Sequence, residues 1–275
     1  MCGFVREPQT APAKTALAGP SMEHYGEMGL GIAAPAGATR HFLPMEPLLA
    51  VWHIMQRSTR RQAPQPMQPI SSHFAPELQQ AFKDAIPRLR KQLGSIPFAE
   101  KDYTFGVGGE TFRAFRNLSN RPSDLYRTWA ARVCARLTPA TLAKRLATAE
   151  AFESWHAHLV ADLQKEWHSR EGTRLSVAHQ YKLVDLLIKW LSWYDFSDPA
   201  ITRGFEAHAH CALDRQTLTK LNECLSFALP MPYASMGNIL TDHTYIFCQD
   251  LISEFTRSCG GTPLLFDYFA WKRGG

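Results

Sequence analysis

From Ser176 to Tyr194 the chain is apolar on nearly every side of a helix, yet it carries two lysines, Lys182 and Lys189, seven residues apart. Seven residues span about two helical turns, so both side chains lie on one face. Around them stand Leu183, Val184, Leu186, Leu187, Ile188, Trp190 and Leu191. A helix that is apolar all round belongs in the interior. A lysine held there is costly to keep charged, so its pKa falls and its amine becomes nucleophilic. The competing reading is that one or both lysines snorkel their charged ends to the surface.

The rest of the chain can supply a core around such a helix. It has 275 residues, 45% of them hydrophobic, with 16 Phe, 7 Trp and 8 Tyr. No apolar run has the length of a membrane span, and the N-terminus lacks the pattern of a secretory signal. The six cysteines form no CxxC pair, so we expect reduced thiols in a cytoplasmic protein.

Residues 1–70 read as an Ala/Pro/Gly-rich leader and linker, with a short helix over Leu48–Arg57 and a Pro/Gln/Met linker over Gln62–Pro69. Residues 71–175 read as a helical subdomain with a basic stretch, and residues 176–275 as a second subdomain that carries the chemistry. Helices are expected over Glu77–Leu93, broken or kinked at Pro87, and over Ser123–Leu137. Helical pattern continues, with a break, from Thr138-Pro139 to His168. Further helices are expected over Leu213–Leu225, Asp242–Cys259 and Pro263–Trp271. Tyr103–Phe115, with Gly106, Gly108 and Gly109, reads as a turn or short hairpin. The fold class is mainly α.

Charge is unevenly placed. Arg113 to Arg145 holds eight basic residues and one acid, whereas from Ser176 to Trp271 acids outnumber bases by ten to six. Arg127, Arg132 and Arg136 are therefore candidates for contacts with DNA phosphates, the alternative being a solvated helix face.

Two carboxylates complete the constellation. Asp214 stands where a helix should begin, which is also the place of an ordinary cap. Asp267 and Trp271 are four apart and share a face of the last helix. Lys182, with Lys189 seven and Asp214 thirty-two residues after it, followed by Gly261-Thr-Pro-Leu-Leu-Phe-Asp267 through Trp271, resembles the archaeal 8-oxoguanine DNA glycosylases and their bacterial OGG-like relatives. These belong to the helix-hairpin-helix superfamily, and the resemblance covers residues 176–271. It implies a helix-hairpin-helix glycosylase-like helical bundle. It also implies that Lys182 attacks the sugar C1′ and forms a Schiff base, and that Asp214 stabilises the developing positive charge. Lys189, Asp267, Trp271 and Leu186 would line the base pocket, and the partner would be DNA with a flipped modified base. Leu186 stands where the archaeal enzymes have an aromatic residue, and no Leu-Pro-Gly-Val-Gly hairpin string is present.

The implied activity is excision of a modified base, leaving an abasic site, in repair or in defence against phages with modified DNA. The substrate is an oxidised purine or, if the Leu186 position widens the pocket, a bulkier modified pyrimidine. The alternatives are a non-catalytic nucleic-acid-binding protein on the same scaffold and a helical adaptor for other proteins. No cofactor and no metal are expected, because His208, His210 and Cys211 have no second ligand pair at suitable spacing. The protein is expected to act as a monomer without a membrane partner.

Overall fold

The computed structural model describes residues 69–108, 111–112, 121–229, 231 and 234–271. The helix expected over Leu48–Arg57 and the basic residues Arg113 and Arg116 lie outside them. Among the described residues nine helices dominate: α1 (Pro76–Arg90), α2 (Pro122–Ala135), α3 (Pro139–Arg145), α4 (Ala149–Glu171), α5 (Val177–Leu191), α6 (Pro199–His208), α7 (Arg215–Cys224), α8 (Asp242–Ser258) and α9 (Pro263–Ala270). The chain is mainly helical, and Gln65–Gly275 forms one compact unit. That unit takes in both segments that the sequence divides at residue 175.

α5 is the axis of the core. Leu183, Val184, Leu187, Ile188, Trp190 and Leu191 are each 1% exposed or less. α4 packs on one flank and α8 on another. The last helix, α9, closes the unit by touching α1, α6, α7 and α8. Its contact with α1 is an aromatic cluster, with the Phe82 ring 5.2 Å from Phe269, 5.9 Å from Phe255 and 6.1 Å from Phe266. Edge-on and tilted ring pairs at these distances add about 0.5–1.5 kcal/mol each beyond their burial.

Local chemistry explains where the elements start and stop. α1 runs through Pro87 to Arg90 without the expected break. Pro87 forfeits one helical hydrogen bond, but Ile86 and Leu89 beside it are buried and hold the last turn in place. The helical pattern after Pro139 divides at Leu146–Thr148, where the Thr148 hydroxyl accepts the Ala151 N–H and starts α4. α6 is a helix that is not among those expected from the sequence. Its start was readable: Asp198 caps it by accepting the Ala200 N–H at 2.9 Å, and Pro199 occupies the first helical position.

The segment from Tyr103 to Gly106 is a turn and pairs with no strand. The one ladder among the described residues is parallel, between β1 (Ile96–Pro97) and β2 (Tyr194–Asp195), with Ile96 opposite Tyr194. The Gly94 and Ser95 N–H groups extend it by donating to the Ser192 and Trp193 carbonyls at 2.9 Å. These bonds fix the chain after α1 against the end of α5. The five described cysteines are free and buried. No helix among the described residues is long and apolar enough to cross a membrane.

Candidate active site

One face of α5 and its extension opens on a cavity of about 520 Å³. Lys182, Leu186, Lys189 and Trp193 contribute to it at intervals of four, three and four residues, which is the spacing of a single helix face. Tyr268 and Trp271 from the last helix, Gln92 after α1, and Gly106, Gly108 and Thr111 form the other walls. The lining is largely apolar with a few convergent polar groups, as binding sites for small organic groups usually are.

Lys182 is the least committed charge in this cavity. Its Nζ lies 3.8 Å from Asp214 Oδ2 and 3.6 Å from the Met236 thioether, a weak acceptor. The side chain is 14% exposed. Burial pulls its pKa below the ordinary lysine value, and the attraction of Asp214 and Asp267 does not cancel that effect. The amine is thus placed to lose its proton more readily than a surface lysine.

Asp214 has two tasks. Oδ1 caps α7 by accepting the Gln216 and Thr217 N–H groups at 2.8 and 3.0 Å, and the Thr217 hydroxyl accepts the Asp214 N–H at 2.7 Å. Oδ2 faces Lys182. Helix cap and lysine partner, alternatives in the sequence, are here the two oxygens of one carboxylate. The cap fixes the orientation of the oxygen that meets the lysine.

Lys189 is bound quite differently. Its ammonium pairs with Asp267 Oδ1 in the interior and sits 4.8 Å from the Tyr268 ring centre and 5.8 Å from that of Trp271. Asp267 Oδ2 accepts the Ala212 N–H at 2.7 Å. Asp267 is fully buried, which pushes its carboxyl pKa up, while Lys189 and the Ala212 N–H pull it down without cancelling the shift. It does not line the cavity. The resemblance gave Asp267 a base-pocket role; in the structure its two oxygens meet Lys189 and the Ala212 N–H inside the protein. Asp267 braces the extended segment that leads to Asp214.

The wall formed by residues 102–108 is pinned to α5. The Tyr126 hydroxyl reaches the Phe105 carbonyl at 2.8 Å and the Leu183 carbonyl at 3.2 Å. The Trp190 indole donates to Asp102 Oδ1 at 2.9 Å. Gly106 makes this approach possible: its φ is +79°, and a Cβ there would stand 2.3 Å from the Leu186 carbonyl oxygen. Only glycine fits both conditions.

Of the three arginines proposed for phosphate contact, Arg127 and Arg136 are exposed on and just after α2. Arg132 is occupied, with its guanidinium 3.0 Å from both Asp162 and Glu166 of α4. It ties α2 to α4. Sequence reasoning missed Trp193, Tyr268 and Gln92 as cavity walls. Trp193 had a readable signal, standing four residues beyond Lys189 on the lysine face, and Tyr268 adjoins Asp267. Gln92 arrives only through the β1–β2 ladder, which short strands do not announce.

No family model matches the chain, and neither a curated protein nor a solved structure matches it.

Proposed function

We propose that the chain is a DNA glycosylase of the helix-hairpin-helix kind, acting through Lys182 and Asp214. The observation that carries this reading is an amine of lowered pKa, 3.8 Å from an oriented carboxylate, in the wall of a cavity faced by three aromatic rings. A flipped base would enter between Trp193, Tyr268 and Trp271, where base–aromatic stacking is worth about 1–3 kcal/mol per base. The Lys182 amine attacks C1′, the bond from C1′ to the base nitrogen breaks, and the base leaves with a proton. Asp214 stabilises the positive charge that develops on the sugar as that bond lengthens. Opening of the sugar ring then converts the adduct to an imine and leaves an abasic site attached to the enzyme.

A second observation supports the hairpin. α4 and α5 pack together and are joined by residues 172–176, with Gly172 in the left-handed conformation at φ 68°. Lys182 is the sixth residue of the second helix. Thr173 and Arg174 in the connection are exposed, which suits a grip on the DNA backbone, with Arg127 and Arg136 as further phosphate contacts. Leu186 packs in the cavity wall without a stacking face, and the rings opposite it supply that surface.

The test is product analysis on duplexes carrying 8-oxoguanine beside DNA with bulky modified pyrimidines. Free base and abasic sites are measured together. Release of 8-oxoguanine alone assigns repair of an oxidised purine, and release of the bulky base alone assigns defence against modified phage DNA. Binding without release from any of these substrates overturns the enzymatic reading in favour of a non-catalytic DNA-binding protein.

A further inference from the structure

Glu153 and His156 stand three residues apart on α4, so they share a face, and His210 lies in the extended segment between α6 and α7. One ligand atom from each falls within 4.8 Å of the other two. We propose that Glu153, His156 and His210 bind a divalent first-row transition ion of the zinc class, with water from the adjoining cavity in the remaining position.

The hydrogen bonds around the two imidazoles point the same way. His156 Nε2 lies 2.8 Å from Asp185 Oδ1, and His210 Nδ1 lies 2.9 Å from the Tyr245 hydroxyl oxygen. The Tyr245 hydroxyl donates to Asp185 Oδ2 at 3.0 Å. With its proton spent on Asp185, Tyr245 accepts from His210 Nδ1–H. Asp185 likewise accepts from His156 Nε2–H. One nitrogen of each ring is thereby held as a donor, which turns His156 Nδ1 and His210 Nε2 to the ion; in the metal-free chain His210 Nε2–H donates to Glu153 Oε1, and the ion takes the place of that proton. A buried carboxylate or hydroxyl that orients the far nitrogen is the usual support behind a metal-binding histidine. Tyr181 stacks on Tyr245 at 3.8 Å and keeps that hydroxyl in place.

The third ligand is already close. Glu153 Oε1 is 2.8 Å from His210 Nε2. Ligand atoms about 2.0–2.1 Å from a tetrahedral zinc are about 3.4 Å from one another. The Glu153 side chain is 58% exposed and free to turn by that much. A cavity of about 270 Å³, faced by Glu153, His208, His210 and Arg257, gives water a route to the ion. Two histidines and one carboxylate with an open position make a zinc-type donor set, and imidazole excludes hard cations such as magnesium.

This set differs from the His208, His210 and Cys211 trio that the sequence presents. Cys211 is fully buried, and its backbone is held by Gln249 through bonds of 3.1 and 2.7 Å. The ion would tie α4 to the segment that delivers Ala212 to Asp267 and Asp214 to Lys182. The site stands apart from the glycosylase reading and is tested without it.

The experiment is calorimetric titration of the metal-free full chain with Zn²⁺, with Mg²⁺ as the hard-cation control. One zinc per chain and no magnesium are expected. His210→Asn should abolish uptake, and Glu153→Gln should lower the affinity by about tenfold or more. Tyr245→Phe, which keeps every ligand and removes only the support of His210, should weaken binding by about 10–100-fold. Because Glu153 is exposed, Glu153→Gln keeps the test sound if the buried variants do not fold, with circular dichroism as the check. No zinc uptake, or uptake unchanged in Glu153→Gln and His210→Asn, would overturn the proposal and leave a hydrogen-bonded network alone.

Discussion

Two lysine–aspartate pairs hang from one face of α5, seven residues apart, and the molecule treats them in opposite ways. Lys189 and Asp267 meet in a tight buried ion pair, and the second carboxylate oxygen is satisfied by the Ala212 N–H. Lys182 and Asp214 stand 3.8 Å apart in the wall of a cavity, and burial lowers the pKa of that lysine. The tight pair satisfies its own charges, with Lys189 still part of the cavity wall. The looser pair keeps an amine with a weak sulfur neighbour and a carboxylate oxygen aimed at it. Capacity for chemistry here lies in what a pair leaves unsatisfied, and the sequence spacing of the two lysines does not reveal which pair that is.

The sharpest way to separate the pairs is to neutralise each carboxylate. Asp214→Asn should cut base release by about 10²–10⁴-fold, the range for one positioned acid–base group. Asparagine caps helices about as well as aspartate, so the thermal midpoint should barely move. A loss of activity matched by a loss of folding would merge the two pairs into one structural feature. The pH dependence sharpens the same contrast. Because burial lowers the pKa of Lys182, its neutral fraction grows at lower pH than that of an ordinary lysine. The single-turnover rate should therefore rise with pH and level off below the ordinary lysine value of 10.5.

On the other pair, Lys189→Met strands a buried carboxylate and should cost about 3–5 kcal/mol of stability by denaturant unfolding. Survival of the fold at wild-type stability would mean that Asp267 is held by Ala212 alone. Gly106→Ala should cost about 1–3 kcal/mol through the positive φ and the contact with the Leu186 carbonyl. It should also impair substrate binding, since that turn walls the cavity. The smallest effects belong to the surface. Replacing Arg127 or Arg136 by alanine should make the salt dependence of DNA binding shallower by about one unit of log–log slope. Arg132→Ala should leave the slope unchanged and cost at most about 1 kcal/mol, as partly exposed ion pairs do.

The long periodic helices were legible because their apolar faces are local information. α2, α5, α8 and α9 lie within a few residues of their expected bounds, and the caps Thr138 and Asp214 mark the starts of α3 and α7. α6 was missed although Asp198-Pro199 signals it, because its short apolar set of Ile201, Gly204 and Phe205 gives a weak stripe. Pairing partners were not legible at all. That Asp267 faces inward to Ala212, that Arg132 is taken by α4, and that Glu153 and His156 meet His210 are consequences of packing between distant segments. Spacing along the chain placed Lys182 and Asp214 as candidates, and the fold brings them within 3.8 Å.

We propose that Lys182, and not Lys189, carries the chemistry. Borohydride reduction during turnover on a cleavable oligonucleotide tests it directly, because an imine between lysine and sugar becomes a permanent link between protein and DNA. A covalent adduct whose mapped attachment is Lys182 is expected. The adduct should be absent in Lys182→Gln and strongly reduced in Asp214→Asn. An adduct of undiminished yield in Lys182→Gln, or one mapped to Lys189, would contradict the proposal.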